Sequence, residues 1–324
     1  MNVQKTITVI GGGTGQSSVL RGLKKLPCKI NAIVTMADDG GSSGMLREDL
    51  GMLPPGDIRN CILALSNTEL EMEALFQYRF KDGSLKGQNF GNLFLAALTD
   101  MNNDFETAVS KISEILAVRG KIIPVTLDDV RLKALFKNGN EVFGESVIAD
   151  KCQSQNTQID KIKLIPEDAQ PFAEAVNALK AADIIILSPG SLYTSLIPNL
   201  IVKGISETIK KSAAKKIFIC NIMTENGETT DYKVMDFIKA IYKHADIGPL
   251  DYVIVNNQIP PDDIQAKYML KNQKLITLDE EERKILKSKG IVIIENGFIK
   301  IKKSQIYHDS DRISPEIEKI LSLL

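Results

Sequence analysis

The chain has 324 residues, of which 44% are hydrophobic and 25% charged, and its formal net charge at pH 7 is −1. These values are typical of a globular protein with a large core, and they argue against a nucleic-acid binder that depends on counterion release. The sequence has no apolar run of about 18 residues, no secretory signal pattern and no close pair among its four cysteines, so we expect a cytoplasmic protein without membrane insertion.

The chain opens on a β-branched run, Thr6–Ile10, that leads into five glycine-rich residues and then a helix-like stretch. Glycines let backbone N–H groups approach an anion, and a helix N-terminus adds its dipole. The segment predicts a phosphate-binding loop made of Gly11, Gly12, Gly13, Thr14 and Gly15. A plain β–α turn is the alternative, because Gln16 stands where a dinucleotide fingerprint needs glycine and a P-loop lysine is missing.

A second polar loop, Asp38–Gly44, follows the apolar run Ile30–Met36 and carries Asp38, Asp39, Ser42 and Ser43. Two parallel strands bring such loops to the same edge of a sheet, where open α/β sheets bind ligands. Three interpretations of the paired carboxylates remain open. Asp38 and Asp39 hold a Mg²⁺ ion that bridges phosphate oxygens, or they bind ribose hydroxyls, or they are solvated acids that cap the turn.

Residues 57–118 predict a block of four helices, over Ile58–Ser66, Glu69–Phe80, Asn89–Met101 and Asp104–Val118. Asp57 and Asp104 stand at predicted N-cap positions. Arg59 lies in the first turn of the first helix, where its planar guanidinium suits phosphate or an ion pair with Glu48 or Asp49. Asn92 either contacts a ligand or caps its helix.

The next region, residues 121–165, predicts an antiparallel extension built from Lys121–Thr126, Arg131–Phe136, Glu141–Ser146 and Lys161–Ile165. Asn138-Gly139 is a strong hairpin signal between the second and third of these runs.

From Glu167 onward the α/β alternation returns, with a helix to Ala182 and strands over Asp183–Leu187, Lys216–Cys220 and Tyr252–Asn256. Polar loops follow these strands and supply Gly190, Ser191, Asn221 and Thr224, which resemble a second phosphate nest. Further helices are predicted over Ile205–Ser212 and Asp231–His244. The last predicted elements are two short strands, Ile291–Ile294 and Phe298–Ile301, and a helix from Ser314. We expect one domain over residues 1–324, because no linker interrupts the pattern.

Six segments together closely resemble the bacterial YvcK-like gluconeogenesis factors, relatives of the 2-phospho-L-lactate transferase (CofD-like) family: Ile10–Gly15, Ala37–Gly44, Pro55–Asn60, Gly91–Leu93, Ser188–Ser195 and Cys220–Thr229. The resemblance implies a three-layer α/β/α fold with a Rossmann-like, mostly parallel sheet. It also implies a cytoplasmic protein that binds UDP-sugars, UDP-N-acetylglucosamine among them, and is needed for cell shape and wall integrity on gluconeogenic carbon sources. The transferase relatives use a guanosine-linked donor, a deazaflavin acceptor and Mg²⁺. Met45 and Gln88-Asn89 depart from the family pattern, which expects a basic residue and His-Ser.

The leading hypothesis is therefore a nucleotide-sugar-binding regulatory protein. A Mg²⁺-dependent phosphotransferase and an oxidoreductase with bound NAD are the alternatives, and no nucleophile and base stand at a recognisable spacing. The sequence leaves open whether the protein is an enzyme, which regulatory protein it acts on and whether it forms a homo-oligomer.

Overall fold

The computed structural model describes residues 4–324. In chain order the strands are β1 Thr6–Gly11, β2 Lys29–Val34, β3 Lys121–Pro124, β4 Arg131–Phe136, β5 Glu141–Phe143, β6 Ile159–Ile165, β7 Ile184–Leu187, β8 Lys215–Ile219, β9 Tyr252–Asn256, β10 Val292–Asn296, β11 Ile299–Lys302 and β12 Gln305–His308.

The helices are α1 Gly13–Leu23, α2 Gly41–Leu50, α3 Gly56–Leu65, α4 Leu70–Gln77, α5 Phe90–Asn102, α6 Phe105–Ile115, α7 Glu145–Ser154, α8 Ala173–Lys180, α9 Ile197–Leu200, α10 Ile205–Lys211, α11 Val234–His244, α12 Asp262–Met269, α13 Glu280–Ser288 and α14 Ser310–Ser322. A π-helical turn, Leu192–Leu196, precedes α9. None of the helices in the described part of the chain is long and apolar enough to cross a bilayer.

A seven-stranded parallel sheet forms the centre, in the order β10-β9-β8-β7-β1-β2-β3. This confirms the predicted α/β fold with a Rossmann-like, mostly parallel sheet. The chain adds β2 and β3 on one side of β1 and later adds β7 to β10 on the other side. The strand order therefore reverses between β1 and β7, and this switch point is where open α/β sheets form a ligand crevice.

The central strands are buried along their length, as the predicted apolar runs require. Every residue of β7 is buried, and Ile7, Val9 and Ile10 of β1 have no exposed surface. Parallel strands covered by helices on both faces have this continuous apolar character rather than an alternating one. The four cysteines are unpaired and buried.

The small antiparallel sheet has the order β5-β4-β6 and begins later than predicted. Lys121–Pro124 was expected in it but pairs in parallel with β2 as the edge of the central sheet. The predicted hairpin at Asn138-Gly139 is confirmed between β4 and β5, with Gly139 at a φ of +87°. The predicted strand Glu141–Ser146 is only half correct, because helix α7 begins at Glu145.

Two predicted helix caps differ in outcome. Asp104 caps α6, since its carboxylate accepts a hydrogen bond from the Thr107 N–H at 2.7 Å. Asp57 does not cap α3, because that helix starts at Gly56, two residues before the predicted Ile58, and places Asp57 in its first turn. The C-terminal region also holds more structure than predicted: β10 joins the central sheet, and β11 pairs with a third strand, β12.

Candidate functional site

The glycine loop, Gly11–Gly15, packs directly against the loop after β7. A Cβ atom at Gly15 would overlap the carbonyl group of Pro189, and one at Gly11 would overlap the Ser188 hydroxyl. The fully buried Asn199 amide ties the two loops together by donating to the carbonyl oxygens of Gly11, at 2.9 Å, and Ser195, at 2.7 Å. These glycines are therefore required for close backbone approach at the switch point.

The N-terminus of α1 has no side-chain cap, because Gly12 occupies the N-cap position. A Cβ atom on Gly12 would lie 2.6 Å from the Asp57 carboxylate and 2.7 Å from the Thr35 side chain, so only glycine fits there. The Asp57 carboxylate lies beside the Gly13 N–H, and Gly13 has a φ of +63°. The following N–H groups of this first turn suit a phosphate group.

Gln16, which breaks both familiar phosphate motifs, is a core residue. Its buried side-chain amide donates to the carbonyl oxygens of Val9, at 3.1 Å, and Ile33, at 2.9 Å. The side chain thus bridges β1 and β2 just below the loop. Gln16, which replaces the third glycine of the dinucleotide fingerprint, therefore has a structural role in the core. Its presence weakens the hypothesis of NAD binding.

Three carboxylates, Asp38, Asp57 and Glu145, gather beside the glycine loop and are called here the carboxylate cluster. A Cβ atom on Gly40 would lie 3.5 Å from the Asp38 Oδ1 and 4.0 Å from the Glu145 Oε2, so both carboxylates lie next to Gly40. Loss of water contact and then the charge of Asp38 raise the pKa of Asp57 to about 7. The same two causes raise the pKa of Glu145 to about 8. The negative charge of the three carboxylates is therefore not fully neutralised by neighbouring positive charges.

The predicted carboxylate pair separates in the structure. Asp39 turns away and accepts the N–H groups of Glu145, at 2.9 Å, and Ser146, at 2.8 Å, at the start of α7. Asp38 stays beside Asp57, so these two, rather than Asp38 and Asp39, are the better oxygen donors for Mg²⁺. Within residues 4–324 no three acidic, His or Cys side chains form a metal site by themselves. A Mg²⁺ ion here would need ligand phosphate oxygens, as this ion commonly does.

A second acidic pair, Glu225 and Glu228, lies under the loop after β7. The Ser191 hydroxyl donates to Glu225 at 2.6 Å, while Glu228 accepts the N–H of Tyr193 and the hydroxyl of Thr194. Burial and the neighbouring Glu225 charge raise the pKa of Glu228 well above its usual range. These contacts hold the loop after β7 in place, so Ser191 has a structural partner as well as its predicted ligand role.

Several predicted site residues form a hydrogen-bonded layer behind Arg59. The Ser42 hydroxyl accepts from the Asn92 amide at 3.1 Å, and Asn92 accepts from Arg59 at 2.9 Å. Ser43 accepts from the N–H of Gly56 at 3.1 Å. Ser42, Ser43 and Asn92 are buried, and their contacts position Arg59 and the start of α3.

A cavity of about 210 Å³ opens between the glycine loop and the loop after β8, and we call it the Asn221 cavity. Asn221 exchanges two hydrogen bonds with the Gly190 backbone, at 3.1 and 2.8 Å, and thereby orients that loop. Thr224 is tied to the backbone of Lys274. The structure brings these predicted residues together at the cavity wall: Thr14, Gly15, Gly190, Asn221 and Thr224.

The opposite wall was missed by the sequence analysis. It carries Tyr268 from α12 and Tyr307 and His308 from β12, and the N–H of Ile306 donates to the Tyr268 hydroxyl at 2.8 Å. No motif marks these residues, because the hairpin of β11 and β12 reaches the site only through tertiary packing. A larger cavity of about 920 Å³ beside α7 contains none of the predicted site residues.

The comparisons with known proteins agree on one family. The model of the family described as 2-phospho-L-lactate transferase CofD matches residues 7–299 of the chain. A Clostridium acetobutylicum protein is 53% identical over 315 residues, which are 97% of this chain and 68% of that protein. The protein named Gluconeogenesis factor in Bacillus subtilis is 43% identical over 322 residues, 99% of either chain.

A solved structure is also similar throughout. The crystal structure of a UPF0052 family member from Bacillus halodurans has a TM-score of 0.91 and 42% sequence identity to this chain. The similarity covers 97% of this chain and 99% of that one.

The buried Glu228 gives a pH-dependent contribution to stability. The folded protein keeps a proton on Glu228 at a pH where the unfolded chain has lost it, so the unfolding free energy falls as pH rises above about 5. We expect Glu228→Gln to reduce that fall between pH 5 and pH 8, measured by urea denaturation. Exposed Glu114→Gln is the control. Equal slopes in both variants would contradict the assignment.

Proposed function

Because this chain belongs to the 2-phospho-L-lactate transferase CofD family and shares almost its whole length with a gluconeogenesis factor, we propose that it binds a nucleotide sugar, such as UDP-N-acetylglucosamine. In this proposal it acts as a regulatory protein required for cell shape and wall integrity during gluconeogenic growth. The observation that carries the binding proposal is the N-terminus of α1, which has no cap from its own N-cap residue Gly12 and whose Thr14 and Gly15 line the Asn221 cavity.

The lining of the Asn221 cavity suits a nucleotide base. Tyr268 and Tyr307 offer aromatic side chains, and Ile222, Met223 and Ile306 add apolar surface. Such surroundings, with a few polar groups, are typical of sites for planar ligands. A neighbouring cleft of about 680 Å³ shares Thr14, Ser18, Tyr307 and His308 with this cavity, so a ligand larger than a base has room to extend.

The charge at the glycine loop favours a ligand that arrives with a cation. A diphosphate at the start of α1 would lie near Asp57 and Asp38, whose negative charges oppose it. Protonation of Asp57 relieves part of the repulsion, since its pKa is about 7. Mg²⁺ bound between these carboxylates and the phosphates would neutralise the remainder.

The carboxylate cluster also supports the alternative function, a Mg²⁺-dependent phosphotransferase. Phosphoryl transfer depends chiefly on positioning and on charge neutralisation by metal ions, and Asp38 and Asp57 could supply the metal ligands. The family name favours this alternative, whereas the relatives named gluconeogenesis factors favour the regulatory protein. The two functions differ in whether the bound donor is recovered intact.

Substitution of Gly13 tests the phosphate site. Asp and Asn both tolerate the φ of +63° found at Gly13. A Cβ atom on Gly13 would have only the Ser195 hydroxyl within 4 Å, at 3.8 Å. An aspartate also favours a helix N-terminus, so both variants should fold. We expect Gly13→Asp to bind UDP-N-acetylglucosamine at least about tenfold more weakly than Gly13→Asn in titration calorimetry, because its added charge opposes the diphosphate. Equal affinities of the two variants would place the diphosphate elsewhere.

Substitutions at the two adjacent aspartates test the cation. We expect Mg²⁺ to raise the affinity of the unmodified protein for the UDP-sugar, and EDTA to reverse the effect. Asp38→Asn should remove this dependence. Asp39→Asn should retain it and instead lower the thermal unfolding midpoint, because Asp39 caps α7. If Asp39→Asn also removes the Mg²⁺ dependence, the predicted pair of Asp38 and Asp39 would be the correct metal site.

A further inference from the structure

Two arginines, Arg59 of α3 and Arg79 after α4, line the cleft of about 680 Å³ beside the Asn221 cavity. We call it the arginine cleft. Among residues 4–324, neither arginine has a carboxylate within ion-pair distance. The contrast with other cations of the same cleft is clear, since Arg21 pairs with Glu73 at 2.7 Å and Lys25 pairs with Asp311 at 2.5 Å.

The hydrogen bonds of the two arginines go only to neutral oxygens. Arg59 donates to the side-chain oxygens of Asn92, at 2.9 Å, and Asn60, at 2.8 Å, and its buried Nε has no partner. Arg79 donates to the carbonyl oxygen of Gly87 at 2.5 Å. Amide and carbonyl oxygens hold the guanidinium groups in place without neutralising them. Two positive charges therefore line the cleft without a carboxylate in direct contact.

The position of Arg59 is fixed tightly. A Cβ atom on Gly91 would lie 2.7 Å from the Arg59 Cδ, and the Asn92 amide that holds the guanidinium is itself tied to Ser42. A fixed guanidinium group loses little conformational entropy when it binds an anion.

Helix α2 begins beside Arg79 but next to a carboxylate. The first residue of that ten-residue helix, Gly41, lies beside Arg79, since a Cβ atom there would be 3.9 Å from the Arg79 Nη1. Gly40 occupies the N-cap position and provides no side-chain cap. The Gly40 N–H donates to the Asp38 carboxylate at 3.0 Å, and no residue of α2 lines the arginine cleft, so the anion contacts come from the two guanidinium groups.

We infer that Arg59 and Arg79 form a second anion site that binds the phosphate group of a small phosphorylated metabolite. The site differs from the glycine loop in its donors, which are guanidinium groups of α3 and of the segment after α4, although Thr14, Ser17 and Ser18 of α1 also line the cleft. The phosphate could belong to a separate phosphate monoester or to the nucleotide sugar itself. The shared chemistry is a phosphate group with two or more free oxygens.

Inorganic phosphate is a suitable probe for this site. We expect titration calorimetry of the full chain, at constant ionic strength, to show phosphate binding that Arg79→Gln weakens at least about tenfold. Arg79 is exposed, so its replacement should not unfold the protein. Lys86→Gln removes the same charge from an exposed residue of the same segment and should leave phosphate binding unchanged. Absence of phosphate binding, or equal binding by Arg79→Gln and the unmodified protein, would overturn the inference.

A second titration identifies the source of the phosphate. If phosphate still binds when UDP-N-acetylglucosamine is saturating, the site takes a separate phosphorylated metabolite. If phosphate and the UDP-sugar compete, and Arg79→Gln weakens both, the site takes a phosphate of the nucleotide sugar. Phosphate binding that depends on Arg79 in a protein with no affinity for UDP-sugars would support this site while refuting the proposed function.

Discussion

The candidate site depends on one steric constraint, the direct backbone contact between the glycine loop and the loop after β7. Gly15 faces the Pro189 carbonyl with no space for a methyl group, and Gly12 lies against Asp57 and Thr35 in the same way. The buried Asn199 holds this contact through hydrogen bonds to both loops. Because the strand order reverses here, the contact also fixes the shape of the crevice between β1 and β7.

Helix α3 divides the charges around this contact. Asp57 and Arg59 are two residues apart and therefore do not share a helix face. Asp57 lies against the glycine loop beside Asp38, while Arg59 lies against Asn92 in the cleft that also contains Arg79. One helix turn thus separates an acidic region, which favours a cation, from a basic region, which favours an anion. A ligand with phosphates and a bound Mg²⁺ ion would satisfy both regions.

The sequence was most informative where chemistry and local structure depend on the same residues. The glycine loop, the hairpin at Asn138-Gly139 and the buried strands follow from local backbone preference and burial, and the structure has all of them. The prediction placed Lys121–Pro124 in the wrong sheet. A short apolar run has the same sequence pattern whether it forms an edge strand of a parallel or of an antiparallel sheet.

The site itself was only partly predictable. Asp38 and Asn221 stand in loops after strands, and Thr14 stands in the first turn of the helix after β1, so their position followed from the parallel sheet. Glu145, Arg79 and Tyr268 come from other elements, and only the tertiary packing brings them close. Adjacency in the sequence does not place Asp38 and Asp39 together, because consecutive side chains of an extended segment point in opposite directions. That Asp38 lies beside Asp57 instead could not be predicted from the sequence.

In the proposed function the unmodified protein binds a nucleotide sugar without consuming it. The most direct test of this proposal is calorimetric titration with UDP-N-acetylglucosamine, with and without Mg²⁺ and beside NAD and GDP, followed by recovery of the ligand. We predict a dissociation constant on the order of micromolar for the UDP-sugar, much weaker binding of NAD and GDP, and an intact ligand. A preference for another nucleotide, or a ligand recovered cleaved, would contradict it.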